Sequence, residues 1–227
     1  MRYLCLDTSV GASVALVDTD EATPLASGGF DDPRAHSERL AECVREVVAD
    51  AGYSRLADAG LDRVVVGTGP APFTGLRAGL VTARTLAWAL GIDVVGIASI
   101  DALGRAALDL VDPDRTVVVA TDARRKEVYA AAYRAAGAND VARVWGPVVE
   151  APGVLARSIG VDDLVAGPGA ALYPAELPPA MSEPGRVEAA TLARIAYARE
   201  RAGAAPADLG TEPLYLRGAD IHPGHRR

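Results

Sequence analysis

"RYLCLDTSVGASVALVD" (residues 2–18) returns later in the chain as "TVVVATDARRKEVYAAAY" (residues 116–133). In each, an apolar run ends in an aspartate, Asp7 or Asp122, turns, and comes back as an alternating run. Alternation at period two is the signature of a strand with two different faces, so each segment is read as a β-hairpin. A second correspondence follows in the same order. "VVVGTGPA" (64–71) is echoed by "DLVAGPGA" (163–170), each an apolar strand running into a Gly-Pro turn. Two correspondences in register imply an internal duplication: two similar lobes with a cleft between them, the second one shortened.

The segments around these anchors fill in the lobe. Residues 25–30 form a weaker third strand. In "HSERLAECVREVVADAG" (36–52), Leu40, Cys43, Val44, Val47, Val48 and Ala51 recur at helical spacing, with Ser37 as the expected N-cap and Gly52 as the stop. Residues 63–67 are a continuous apolar run, as in a strand covered on both faces. A helix over 74–90 capped by Thr74, a strand over 93–98 and a helix over 100–110 complete the order β-β-β-α-β-α-β-α. "VDPDR" (111–115) reads as a linker, residues 151–159 as the counterpart of the helix at 37–51, and 191–203 as a final helix. This predicts an α/β protein of two ribonuclease-H-like lobes, of the kind found in actin, Hsp70 and sugar kinases (the ASKHA group). The first lobe spans 1–100 and the second 101–204. A tail over 205–227 docks back on the first lobe through "EPLYLR" (212–217), and "HPGHRR" (222–227) is frayed.

Composition narrows the function. The 227 residues carry a net charge of −7, with Lys126 the single lysine. Nucleic-acid binding needs cations to displace counterions, so an acidic chain is a poor binder on its own, although it can serve in a complex. Cys5 and Cys43 lack the spacing of a zinc site or a redox pair and are read as buried hydrophobes. No leader-like segment opens the chain and no run approaches a bilayer-spanning length, so a reduced, cytoplasmic setting is expected.

Candidate sites carry paired readings. Asp7, Thr8 and Ser9 at the end of the first strand, with Gly69, resemble one side of a phosphate-holding loop. Aspartate and serine at a strand end also satisfy turn amides. The opposing turn at Asp122, "DARRKE", is bulky and charged, so these four residues are taken as the remnant of a nucleotide site. "GPAPFTG" (69–75) has no P-loop lysine, and Pro70 and Pro72 remove amide donors. The three histidines, His36, His222 and His225, do not form a metal motif. The helix at 74–90 bears two apolar stripes. Leu76, Leu80, Ala83, Ala87 and Leu90 form one, and Ala78, Val81, Thr85 and Trp88 the other. The second is covered either by the helix at 37–51 or by a partner protein.

Together, "LDTS" (6–9), "HSERL" (36–40), "GPAPFTGLRAGL" (69–80), "DARRKEVY" (122–129) and "EPLYLR" resemble the TsaB (YeaZ) family, in order over nearly the whole chain. Ala71 and Pro72 stand where that family usually has Gly and Ser. The resemblance implies a non-catalytic partner of the transferase TsaD, acting with the ATPase TsaE to place a threonylcarbamoyl group on adenosine 37 of tRNAs that read ANN codons. It implies no cofactor in this subunit, with ATP and metal on the partner subunits, and tRNA met only within the complex. The helix "ASIDALGRAA" (98–107) lacks the two histidines of TsaD's metal motif. The expected partner face is Ala78, Val81, Thr85 and Trp88 with Leu40, Val44 and Val47, and it would form homodimers when TsaD is absent. Two enzyme readings remain beside it: an ASKHA-type kinase or acyltransferase with its own nucleotide, and a metallopeptidase-like relative.

Overall fold

The computed structural model describes residues 1–21, 23–31 and 36–217, with backbone only for 36–38. β1 (Arg2–Asp7) and β2 (Ala12–Asp18) form an antiparallel hairpin, with β3 (Ala26–Phe30) on its outer edge. β4 (Arg63–Gly67) pairs parallel to β1, and β5 (Asp93–Ile97) parallel to β4, giving the order β3-β2-β1-β4-β5. Helices α1 (His36–Asp50) and α2 (Phe73–Leu90) lie in the two crossovers, and α3 (Ser99–Leu108) follows β5. β6 (Val117–Asp122), β7 (Val128–Ala136), β8 (Asp140–Glu150) and β9 (Leu164–Ala166) form the second sheet in the order β8-β7-β6-β9. That is the first order without its fifth strand. Ala180 makes a single parallel bridge to Val165 where that strand would run. α4 (Pro152–Leu155) and a 3-10 turn over Ala156–Ser158 take the place of the helix expected at 151–159, and α5 (Ala189–Arg201) is the last α-helix among the described residues.

Alternate residues of the central strands feed different cores. In β1, Leu4 and Leu6 point toward α1 and α2, while Tyr3 and Cys5 point to a middle layer shared by both sheets. Val118 and Ala120 of β6 face the outer side of the second sheet, and Val117 and Val119 face that same middle layer. α3 and α5 fill the middle layer, so both sheets are buried on two faces, as their unbroken valine runs require. Cys5 and Cys43 are buried free thiols.

Three details differ from the expectations. α1 begins at His36, one residue before the expected cap position at Ser37. β8 has no predicted counterpart. Gly146 and Pro147 interrupt its pattern, and proline is tolerated because β8 is an edge strand. α5, assigned to the second lobe by the division at 101–204, lies on the first sheet: the Ala189 amide donates to Ser13 Oγ at 2.9 Å and Glu200 accepts from Tyr3 and Arg63. Its buried Leu192, Ala193, Ile195 and Ala196 explain that choice. The terminal segment read as frayed lies outside the described residues.

A buried carboxylate ties the middle layer together. Asp101 of α3 accepts from Arg143 of β8 at 2.7 and 2.9 Å, from Arg199 of α5 at 3.0 Å and from the Tyr133 hydroxyl of β7 at 2.9 Å. Arg199 also donates to Asp140 at 3.0 and 3.1 Å.

Candidate docking surface

The end of β1 is knitted shut. Asp7 is buried; one of its oxygens accepts from the Ser9 amide at 2.8 Å and the Ser9 hydroxyl at 2.5 Å, and the other from Ser99 Oγ at 2.5 Å. Ser99 Oγ in turn accepts from the Gly69 amide at 3.0 Å. Gly67 permits this junction, since a Cβ there would sit 1.8 Å from Asp7 Oδ2 and 2.5 Å from Ser99 Oγ. Thr8 locks the hairpin to α2. Its hydroxyl donates to the Gly75 carbonyl at 2.8 Å, and a Cβ on Gly79 would lie 2.4 Å from Thr8 Oγ1. Asp7, Thr8, Ser9 and Gly69 are thus brought together, but their polar groups join β1, the β4–α2 loop and α3 to one another. Beside them a cleft of about 500 Å³ separates Ser9, Gly11 and Pro72 from Asp122, Arg124 and Leu172. Among the described residues, no group of three or more His, Cys, Asp or Glu side chains is placed to hold a metal ion. The side chain of His36, and all of His222 and His225, fall outside the described residues.

The loop that opens α2 lacks the expected threonine cap. α2 starts at Phe73, Thr74 sits within its first turn, and the N-cap position is Pro72, without a side-chain cap bond. Proline's fixed φ, here −58°, suits that boundary, and the missing amide is no loss at a helix start. Ala71 is buried in the core beneath α1 and α2.

One side of α2 packs inward through Leu76, Gly79, Leu80, Ala83 and Ala87. The second stripe lies outside. Ala78 is half-buried, Thr85 is exposed, and Val81 and Trp88 keep 63% and 84% of their surface in solvent. α1 does not cover it. Leu40, Val44 and Val47, expected on the same partner face, are instead core residues. They occupy the inward side of α1, and the outward side carries Arg39, Glu42, Arg45 and Glu46. Burial of a large aliphatic side chain is worth about 1.5–3 kcal/mol, so leaving valine and tryptophan in water on one helix is a standing incentive to associate.

The C-terminal segment runs beside this stripe as far as Arg217. Arg84 donates to Thr211 Oγ1 at 2.9 Å, to the Thr211 carbonyl at 2.7 Å and to Glu212 at 3.0 Å. The Leu214 amide donates to the Thr68 carbonyl at 2.8 Å. Tyr215 stacks on Phe73 with ring centroids 4.2 Å apart, and its hydroxyl accepts from Arg77 Nε at 2.9 Å. Within "EPLYLR", Glu212, Leu214 and Tyr215 contact the first lobe, while Arg217 donates to the Ala123 carbonyl of the second at 3.3 Å; residues 218–227 are outside the described part.

Across the cleft, Arg124, Arg125 and Lys126 have φ of 62°, 56° and 62°. Left-handed backbone costs a non-glycine residue roughly 1–2 kcal/mol, so three in succession form a strained turn. It is held by the Arg124 amide donating to Asp122 Oδ1 at 2.7 Å and the Ala123 amide to the Glu127 carbonyl at 3.0 Å. Burial, and then the Asp122 carboxylate, push the nearby Tyr129 phenol upward. Sequence reading missed this strain and the partnership of Ser99 with Asp7. Neither has a local signal, though Phe73 and Tyr215 do sit in two of the family-like segments.

Two lobes of matching strand order, with helices interleaved between their sheets and a cleft on one side, define a protein of the two-lobed ASKHA class. Comparison with known proteins narrows it. A family model described as TsaD, tRNA N6-adenosine threonylcarbamoyltransferase, matches residues 31–157. An uncharacterized protein of Mycobacterium tuberculosis is 38% identical over 97% of this chain and 93% of its own. The tRNA threonylcarbamoyladenosine biosynthesis protein TsaB of Haemophilus influenzae is 35% identical over 57% of this chain and 52% of its own. The solved structure of YeaZ from Pseudomonas aeruginosa superposes with a TM-score of 0.76 at 26% identity, covering 94% of this chain and all of that one. The chain belongs to the TsaB (YeaZ) family. Among the described residues, no helix is long and apolar enough to cross a membrane.

Proposed function

We propose that this chain is a non-catalytic activating subunit in tRNA threonylcarbamoyladenosine formation, docking on a TsaD-type transferase through the outer stripe of α2. The observation that carries this reading is the uncovered row Val81–Thr85–Trp88 on a helix whose other side is fully packed. The closed junction at Asp7 supports the non-catalytic part, because its carboxylate is engaged by Ser9 and Ser99 and is not offered to the cleft. ATP and metal then belong to the partners, TsaD and the ATPase TsaE, and the reaction takes place on the cytoplasmic pool of ANN-reading tRNAs. Without a partner the same stripe pairs two copies of this chain.

Trp88→Arg and Val81→Glu are the direct test. Both positions are exposed, so the fold is expected to stand, with a melting temperature within about 2 °C of the parent. Co-purification with TsaD and tRNA modification by the reconstituted complex should both be lost. Wild-type association and modification in both variants would remove α2 as the interface. ATP turnover by the isolated chain would replace the scaffold reading with an enzyme.

A further inference from the structure

We infer that the C-terminal segment over 210–217 is a clasp that couples docking on α2 to the position of the β6–β7 turn across the cleft, a coupling that rests on the proposed docking role for its trigger. The segment lies flat on β5, where a Cβ on Gly96 would collide with the Gly210 carbonyl. Its Leu214 amide donates to the Thr68 carbonyl at 2.8 Å, and Leu214 and Leu216 pack on the middle layer. Arg84 holds Thr211 and Glu212 to α2. Arg217 then crosses to the second lobe. It donates to the Ala123 carbonyl at 3.3 Å and pairs with Glu127, the two residues that bracket the strained turn. One segment thus runs from the docking helix to the cleft wall that carries Asp122 and Arg124.

The joint is built to give. A space of about 400 Å³ lies between Pro72 and Phe73 of the first lobe, Arg124 and Tyr129 of the second, and Tyr215 to Arg217 of the segment. Protein interiors are ordinarily close-packed, so a space of this size lets the turn shift without unpacking a core. The segment is also held unequally. On the first lobe it has a backbone bond, the Arg84 bonds and the Tyr215–Phe73 stack. On the second, its polar hold is the Arg217 side chain, and a partly exposed ion pair is weak. Arg217 therefore has two arrangements, on the turn and off it, and leaving the turn frees the strained 124–126 backbone to relax. The trigger is Arg84. It stands three residues after Val81 and four before Trp88, and so on the same side of the helix. The Arg84–Glu212 pair is exposed. A partner seated on the stripe displaces water from that pair and strengthens it. With Thr211 and Glu212 fixed, Arg217 is presented to the turn. Linkage makes the effect mutual: a seated Arg217 favours docking by the same factor.

The test reads backbone hydrogen exchange residue by residue. The reporters are the Ala123 amide, bonded to the Glu127 carbonyl at 3.0 Å, and the Glu127 amide, bonded to the Arg124 carbonyl at 3.0 Å. In the isolated chain, Arg217→Gln should speed both about three- to tenfold, with the melting temperature within about 2 °C of the parent. Glu127→Gln should likewise speed the Ala123 and Leu214 amides. Binding of TsaD to the wild type should slow both reporters. Arg217→Gln should weaken TsaD binding about fivefold, although Arg217 lies off the stripe. Arg84→Gln separates coupling from contact: TsaD should still bind through Val81 and Trp88 but should no longer slow the reporters. If TsaD does not bind the wild type while Arg217→Gln still speeds the reporters, the docking proposal falls and the clasp survives as the hold on the turn. Reporter rates unchanged by Arg217→Gln, or unchanged when TsaD binds the wild type, overturn the clasp. Slowing that persists in Arg84→Gln overturns the link through Arg84.

Discussion

A single methyl group measures how tightly the end of β1 is built. Gly79 lies in the middle of α2, where replacing glycine by alanine ordinarily stabilises a helix by about 1 kcal/mol. Here the new Cβ would meet Thr8 Oγ1 at 2.4 Å and break the bond from Thr8 to Gly75. Overpacking of this kind costs about 1–3 kcal/mol. Gly79→Ala is therefore expected to lower the melting temperature by a few degrees, and Thr8→Ala in the same chain to recover part of the loss. Calorimetric melts of the three variants check both statements; a rise for Gly79→Ala alone would show that the contact yields. At this scale the sequence was half legible. "DTS" was readable as a self-capping strand end, but Ser99 lies 92 residues beyond Asp7 and nothing in "ASIDALGRAA" marks its hydroxyl as the third member.

At the scale of elements, periodicity located the helices but not their outer sides. α1 and α2 both show apolar residues at helical spacing. α1 spends all of Leu40, Val44 and Val47 on the core, whereas α2 keeps Val81 and Trp88 outside. A stripe in the sequence is the same whether a neighbour from this chain or another chain covers it, so only packing could divide the expected face. The bonds between elements were equally hidden, as with Asp101. Asp101→Asn keeps the shape and removes the charge that Arg143 and Arg199 share. Breaking a buried pair from one side costs about 3–5 kcal/mol, and because Arg143 retains 36% of its side-chain surface in water, about 2–4 kcal/mol is expected here. That corresponds to a drop of roughly 10 °C in melting temperature. A change of less than 2 °C would mean that the carboxylate does not tie α3, β8 and α5 together.

For the whole molecule, the repeated hairpin was the most informative reading, since it foretold a second lobe with the strand order of the first. Only β8, broken in pattern by Gly146 and Pro147, and the placement of α5 on the first sheet escaped it. The shared middle layer has a signature in alkali. Burial, followed by the Glu200 carboxylate, pushes the Tyr3 phenol well above its ordinary 10.0, and burial with Asp101 does the same for Tyr133. Raised folded-state values mean that the neutral phenols contribute stability below pH 10, and that this stability drains away as pH climbs beyond it. Absorbance at 295 nm should show Tyr3 and Tyr133 ionising only as circular dichroism is lost. Their ionisation within a still-folded protein would contradict the packing of that layer.

The stacking of Tyr215 on Phe73 closes a loop of 142 residues and gives the molecule a timetable. A ribosome adds about 5–20 residues per second, so β1 to α2 emerge well before Tyr215 exists. In that interval Arg77 and Arg84 have no C-terminal segment to bind, and Trp88 already faces solvent. The nascent first lobe is thus stickiest while it is least finished, and the arrival of Thr211 to Tyr215 is the event that completes its border.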